Sequence, residues 1–142
     1  MKKILSLMGC GILCVALTGC GGNGADVVCT KKTDEANETY SVYADGDDIT
    51  KVEMEVEAEA QSEEEAKMVE ALYSGLFGGL ADQSDGAVEC DIERSGKSLS
   101  IVLSVDVKAA KKAGIDNGAV IPEATKVDEF IKSFEAEGYD CD

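Results

Sequence analysis

Between Ile49 and Ala60 the side chains alternate: Val52, Met54, Val56, Ala58 and Ala60 fall on one side, and Glu53, Glu55, Glu57 and Glu59 on the other. A helix would scatter these carboxylates around its circumference, whereas a strand sends successive side chains to opposite faces. The segment therefore reads as a strand with one face for a core and one for water. A chain that contains it must supply a sheet and something to cover the apolar side. Outward glutamates on such a strand stand about 7 Å apart. The resulting carboxylate row reads first as a solvated face, with weak cation binding as the lesser alternative.

The rest of the chain fits around this strand. Val27–Thr30 and Glu38–Ala44 form two shorter strands, and Asp45-Gly46-Asp47-Asp48 is turn chemistry leading into the third. Ser62 with Glu65 makes a capping box, and Ala66, Val69, Leu72, Tyr73, Leu76, Phe77 and Leu80 recur at helical spacing, so an amphipathic helix is expected to about Leu80. Its Gly75, Gly78 and Gly79 either permit a close approach to the sheet or fray the last turns. They neither follow a strand nor open a helix, so they imply no phosphate loop. Ala87–Glu93 and Ser98–Val107 form a second hairpin across Arg94-Ser95-Gly96-Lys97. A short helical piece ending at Gly114 follows. After Pro122 comes a last helix, with Thr125 as its cap, Val127, Phe130, Ile131 and Phe134 as its apolar stripe, and Gly138 as its left-handed stop. The expected architecture is α+β: an antiparallel sheet of about five strands with helices packed on one face.

With 142 residues the chain has room for one domain with a modest core. Its net charge is −16, and since Lys2 and Lys3 precede every acidic residue, the portion beyond the leader carries −18. No basic cluster offsets this, which argues against nucleic acid as a partner. Histidine is absent, and with it every Ser-His or Cys-His nucleophilic arrangement and every histidine zinc site. Carboxylates are so numerous that no one pair singles out an acid/base site. No catalytic residue, metal ligand or cofactor is assigned.

The first residues have a separate logic. Lys2 and Lys3 precede an apolar stretch from Ile4 to Leu17, too short to span a bilayer comfortably. It ends in Leu17-Thr18-Gly19-Cys20, which resembles the bacterial lipobox. That resemblance implies diacylglycerol on Cys20 and cleavage before it, and hence anchorage by lipid at the extracytoplasmic face of a cell membrane. Two acyl chains hold durably where one does not. The expected organisation is a signal peptide over 1–19, a lipidated, glycine-rich tether over 20–26 and a single domain over 27–142.

Asp45-Gly46-Asp47-Asp48 fails as a calcium loop, because Ser41 and Tyr43 stand where acidic or amide ligands are needed and the flanks are strands. Beyond Cys20 three cysteines remain. Cys90 shares a face with Val88 and Ile92, which suggests a buried, inert thiol. Cys29 and Cys141 lie at the two ends of the fold, and their pairing is the first expectation, with bridges involving Cys90 as the alternative. The lipobox, Val28-Cys29-Thr30, the hairpin, the central helix and Glu137-Gly138-Tyr139-Asp140-Cys141 together resemble the small Firmicutes lipoproteins related to the YehR-like family. The resemblance implies an α+β lipoprotein domain of unassigned function with no known enzymatic activity, and a pattern from which Cys90 is missing. The expected role is a non-enzymatic interaction or envelope-maintenance module. The rival is capture of a cation or small cationic solute at the membrane surface, and an acidic-residue hydrolase of envelope polymers ranks last.

Overall fold

The computed structural model describes residues 24–115 and 122–142. The leader, the lipid site at Cys20 and the first part of the tether lie outside the described residues. Six strands form one antiparallel sheet: β1 (Val27–Lys32), β2 (Ala36–Asp45), β3 (Asp48–Glu59), β4 (Val88–Ser95), β5 (Ser98–Asp106) and β6 (Asp140–Cys141), in the order β4-β5-β3-β2-β1-β6. Helix α1 (Glu63–Gln83) joins β3 to β4, α2 (Val107–Lys112) follows β5 directly, and α3 (Val127–Ala136) precedes β6. The alternating strand is the heart of the sheet. Val52, Met54, Val56 and Ala58 lie opposite Val105, Leu103, Ile101 and Leu99 of β5, which continues one apolar face across both strands.

All three helices pack on that face. Phe77 of α1, Val107 and Ala110 of α2 and Phe130 of α3 share a buried cluster with Val42, Val52, Leu103 and Val105. Burial of this apolar area is the main force holding the layers together. The hairpin of β2 and β3 closes between Asp45 and Asp48 with Gly46 at a φ of 63°, a left-handed conformation glycine adopts without steric cost. The same turn receives α3, since the Val127 N–H donates to the Asp47 carbonyl and the Ile49 N–H donates to the Thr125 carbonyl.

Several sequence expectations need correction. Helix α1 runs to Gln83 rather than Leu80, because the Ser84 backbone N–H donates back to Ala81 and its hydroxyl accepts from the Val88 N–H. Its inward residues are Ala66, Tyr73, Phe77 and Leu80, whereas Leu72 and Leu76 face solvent. Apolar residues cover more than half of this helix's circumference, so spacing alone does not say which side is inside. Thr125 is not the cap of α3; Lys126 stands at that position and makes no side-chain capping bond. The sheet gains a sixth strand, two residues long, beside β1. Gly138 does adopt the expected left-handed conformation, with a φ of 92°.

Candidate functional site

Two places concentrate chemistry: the bridged end of the sheet and its uncovered face. At the bridged end, Val28 and Asp142 exchange both backbone hydrogen bonds, at 2.8 and 2.9 Å. Cys29 and Cys141 are therefore the next, non-hydrogen-bonded pair, where antiparallel strands bring Cα atoms closest. Their Cα atoms are 4.0 Å apart and their sulfurs are bonded. The first-choice pairing is thus the one formed, and Cys90 is free among the described residues.

Around the bridge four rings pack together. Phe130 and Phe134 stack at 4.1 Å between centroids, and Tyr40 meets Phe134 edge-on at 4.7 Å. Tyr139 packs against Phe134 at 4.8 Å, donates its hydroxyl to the Glu38 carboxylate and lies under the Lys31 ammonium, 5.0 Å from the ring centroid. Burial first, and then the bond to Glu38, raise the Tyr139 hydroxyl well above the usual phenol range. Tyr40 is raised as well, mainly by burial. Both phenols stay protonated at any physiological pH, so this cluster offers packing and hydrogen bonds rather than a base.

The uncovered face belongs to the carboxylate row. Glu53, Glu55 and Glu57 lie opposite Ser104, Val102 and Ser100 of β5, and those in turn lie opposite Glu89, Asp91 and Glu93 of β4. On the other side β2 contributes Ser41, Thr39 and Asn37. Acidic side chains on β3 and β4 thus alternate with Ser41, Thr39 and Asn37 on β2 and with Ser104, Val102 and Ser100 on β5. Lys51, one step along β3, binds Glu53 at 2.5 Å, and the Tyr43 hydroxyl donates to the same carboxylate at 3.0 Å. Glu55 has no such partner among the described residues, and partial burial, with Glu57 and Glu53 beside it, pushes its carboxyl above the ordinary glutamate range. That observation was not legible in the sequence, which showed the row but not how its members differ.

Cys90 is half-buried, not buried as expected. Strand β4 is an outer strand with a neighbour on one side only, which leaves Cys90 open laterally although Val88 on the same face is buried. Burial, followed by the charge of Asp91, raises the Cys90 thiol above its ordinary range, which keeps it protonated and poorly nucleophilic. The acidic turn serves as an anchor: Asp48 binds Lys126 at 2.6 Å, and this ammonium holds its carboxyl below the usual range. Among the described residues no group of three or more histidines, cysteines or carboxylates converges as a metal site would. No helix among them is long and apolar enough to cross a membrane.

This arrangement of strands and helices has a solved counterpart in the Escherichia coli YehR protein. Its NMR structure superposes with a TM-score of 0.55 at 12% sequence identity, covering 84% of this chain and 92% of that one. The fold is YehR-like. A protein from Streptococcus pneumoniae TIGR4, also solved by NMR, matches at 11% identity with a TM-score of 0.48, covering 82% of this chain and 84% of its own. No family model matches the sequence. No curated protein matches it either. At 12% identity the likeness to YehR concerns the fold alone.

Proposed function

We propose that this chain is a lipoprotein of the YehR-like kind found in Firmicutes, cleaved before Cys20 and held by lipid on that cysteine at the extracytoplasmic face of a cell membrane. Its single domain works there as a non-enzymatic interaction or envelope-maintenance module. The observation that carries the reading is the Cys29–Cys141 bridge, because such bonds persist in oxidising compartments outside the cytoplasm. Five residues separate Cys20 from Asp26, whose N–H donates to Val42 and whose carboxylate accepts from the Ala44 N–H. The domain therefore begins close to the proposed anchor. The uncovered face of carboxylates and hydroxyls is the surface we assign to contact with other envelope components.

Capture of a cation or small cationic solute at the same face is the second reading. The upward shift of Glu55, from burial and then from Glu57 and Glu53, favours it, since a positive charge arriving there would stabilise the ionised carboxylate. Labelling with a fatty-acid analogue tests the anchor: the natural chain takes up label and Cys20→Ser does not, while label retained by Cys20→Ser sinks the assignment. Calorimetry with calcium at physiological salt separates the two readings. Weak, salt-screened heats support the interaction module, and tight saturable binding moves the assignment to capture.

A further inference from the structure

The two edges of the sheet are not equally protected. On one side the sheet ends in β6, two residues long and tied to β1 by the disulfide. On the other it ends in β4, eight residues long and paired with β5 in unbroken register. Strand β4 contains neither proline nor lysine, the residues that commonly blunt an exposed edge. Its backbone bonding alternates. The Asp106 N–H donates to the Ala87 carbonyl, and in an antiparallel pair every second residue is bonded across. Glu89, Asp91, Glu93 and Ser95 therefore turn their backbone groups to β5, and Val88, Cys90, Ile92 and Arg94 turn theirs outward. Val88 is provided for, since its N–H donates to the Ser84 hydroxyl at 2.9 Å. Cys90, Ile92 and Arg94 are left with three N–H groups and three carbonyls that bond nothing among the described residues. That row is a template for one more strand.

The side chains beside the row decide what kind of strand fits. Glu89, Asp91 and Glu93 lie exposed on the uncovered face, and Cys90 and Ile92 are half-buried on the side of the helices. For a strand bonded to Cys90 and Ile92, the residues across from the three acids occupy non-hydrogen-bonded positions, where opposed side chains come closest. Lysine or arginine there meets a carboxylate. The residues across from Cys90 and Ile92 extend the apolar layer, which suits valine or isoleucine. Glu53, Glu55 and Glu57 line the same open face two strands away and add to the attraction for a cation. A second copy of β4 does not qualify. Paired antiparallel about Cys90, Asp91, Ile92 or Glu93, two such edges set acid opposite acid.

We propose that the β4 edge takes up an extended cationic segment of another protein as a seventh strand, with lysine or arginine opposite Glu89, Asp91 and Glu93 and apolar residues between them. Backbone bonds to Cys90, Ile92 and Arg94 supply affinity that does not depend on the partner's side chains, and the acids supply the choice of partner. The inference deepens the interaction reading, on which it rests because the three acids belong to the face assigned there. It adds the place, the mode of binding and the chemistry of the partner.

Fluorescence anisotropy of a labelled peptide titrated with the full-length chain in neutral detergent tests it. The probe is Lys-Val-Lys-Val-Lys, amidated at its C-terminus and carrying an uncharged dye at its N-terminus. With its lysines opposite the acids, its valine amides face β4. Two further peptides of identical charge carry two N-methyl groups each, one on the valines and one on the second and third lysines. The expected result is binding of the unmodified peptide, weakened at least about tenfold by methylation at the valines, where two amide donors are lost, and within about twofold at the lysines. Equal binding of all three overturns the added strand but leaves the open face as a contact surface. Binding of none overturns the added strand and removes a cationic partner from the open face as well. Variants of the chain locate the contact. Glu89→Gln with Asp91→Asn and Glu93→Gln should weaken binding about tenfold, and Glu55→Gln with Glu57→Gln on β3 less than about twofold. The reverse order would place the peptide on the sheet face rather than at its edge, and would overturn the proposal.

Discussion

The two ends of the sheet are held by different means. At the β6-β1 end, a covalent bridge and a cluster of four aromatic rings join segments from opposite ends of the described chain. At the β4-β5 end, a hairpin leans on the helix that precedes it through Val88 and Phe77, with one ion pair between Arg94 and Glu70 at 2.6 Å. Its covering helix contains three glycines near its C-terminal half. The first end relies on a few contacts distant in sequence, so each is individually costly to lose. The second relies on neighbours in sequence and tolerates, or even invites, improvement.

The largest expected effect tests the stapled end. Replacing both bridge residues, Cys29→Ala with Cys141→Ala, opens a loop spanning 112 residues, and the chain-entropy model assigns such a loop about 4 to 5 kcal/mol. Urea denaturation checks this, and a loss below about 1 kcal/mol would mean that the rings, not the bridge, hold this end. Next in size is Phe130→Ala, which removes a fully buried ring stacked on Phe134 and should cost about 3 to 5 kcal/mol in the same assay. At the other end the sign reverses. Gly75→Ala should stabilise the fold by about 0.5 to 1 kcal/mol, because the helix gains and nothing is displaced. A loss of stability there would erase the contrast between the two ends.

The smallest effect concerns the uncovered face between them. Glu55 is raised by burial and then by Glu57 and Glu53, so the folded state holds this proton more tightly than the unfolded chain does. Its contribution favours the fold below the ordinary glutamate pKa and is lost as pH rises through the folded value. At neutral pH the ionised group is a liability, and Glu55→Gln should raise the melting temperature at pH 7 but leave it unchanged below about pH 4. Thermal melts across that window read the difference, and an equal effect at both ends of it would remove ionisation of the half-buried, crowded Glu55 as the cause.

The sequence made β3 and β5 legible because each alternates against a single apolar layer, and α3 legible because Val127, Phe130, Ile131 and Phe134 leave one side for the core. The Cys29–Cys141 bridge was legible from position alone. Strand β6 was not, since two residues carry no periodicity and become a strand only through the bonds between Val28 and Asp142. The orientation of α1 was hidden for the opposite reason. It has too much apolar periodicity, and only the placement of Phe77 and Tyr73 against β4 and β5 selects the inward side. Of the candidate site, the carboxylate row was readable in outline. The distinction between Glu53, held by Lys51 and Tyr43, and Glu55, with no such partner among the described residues, needed those side chains in space.

The bridge between Cys29 and Cys141 also decides how the molecule answers a pull. It closes the domain into a ring, so tension applied between the two ends of the folded chain travels from one sulfur to the other and bypasses the sheet. The spanned segment of 112 residues would give roughly 390 Å of slack if drawn straight at about 3.5 Å per residue, and none of it is released while the bond holds. A stretched molecule yields only what lies outside the ring, and a reducing agent turns the domain from an inextensible link into a long elastic one.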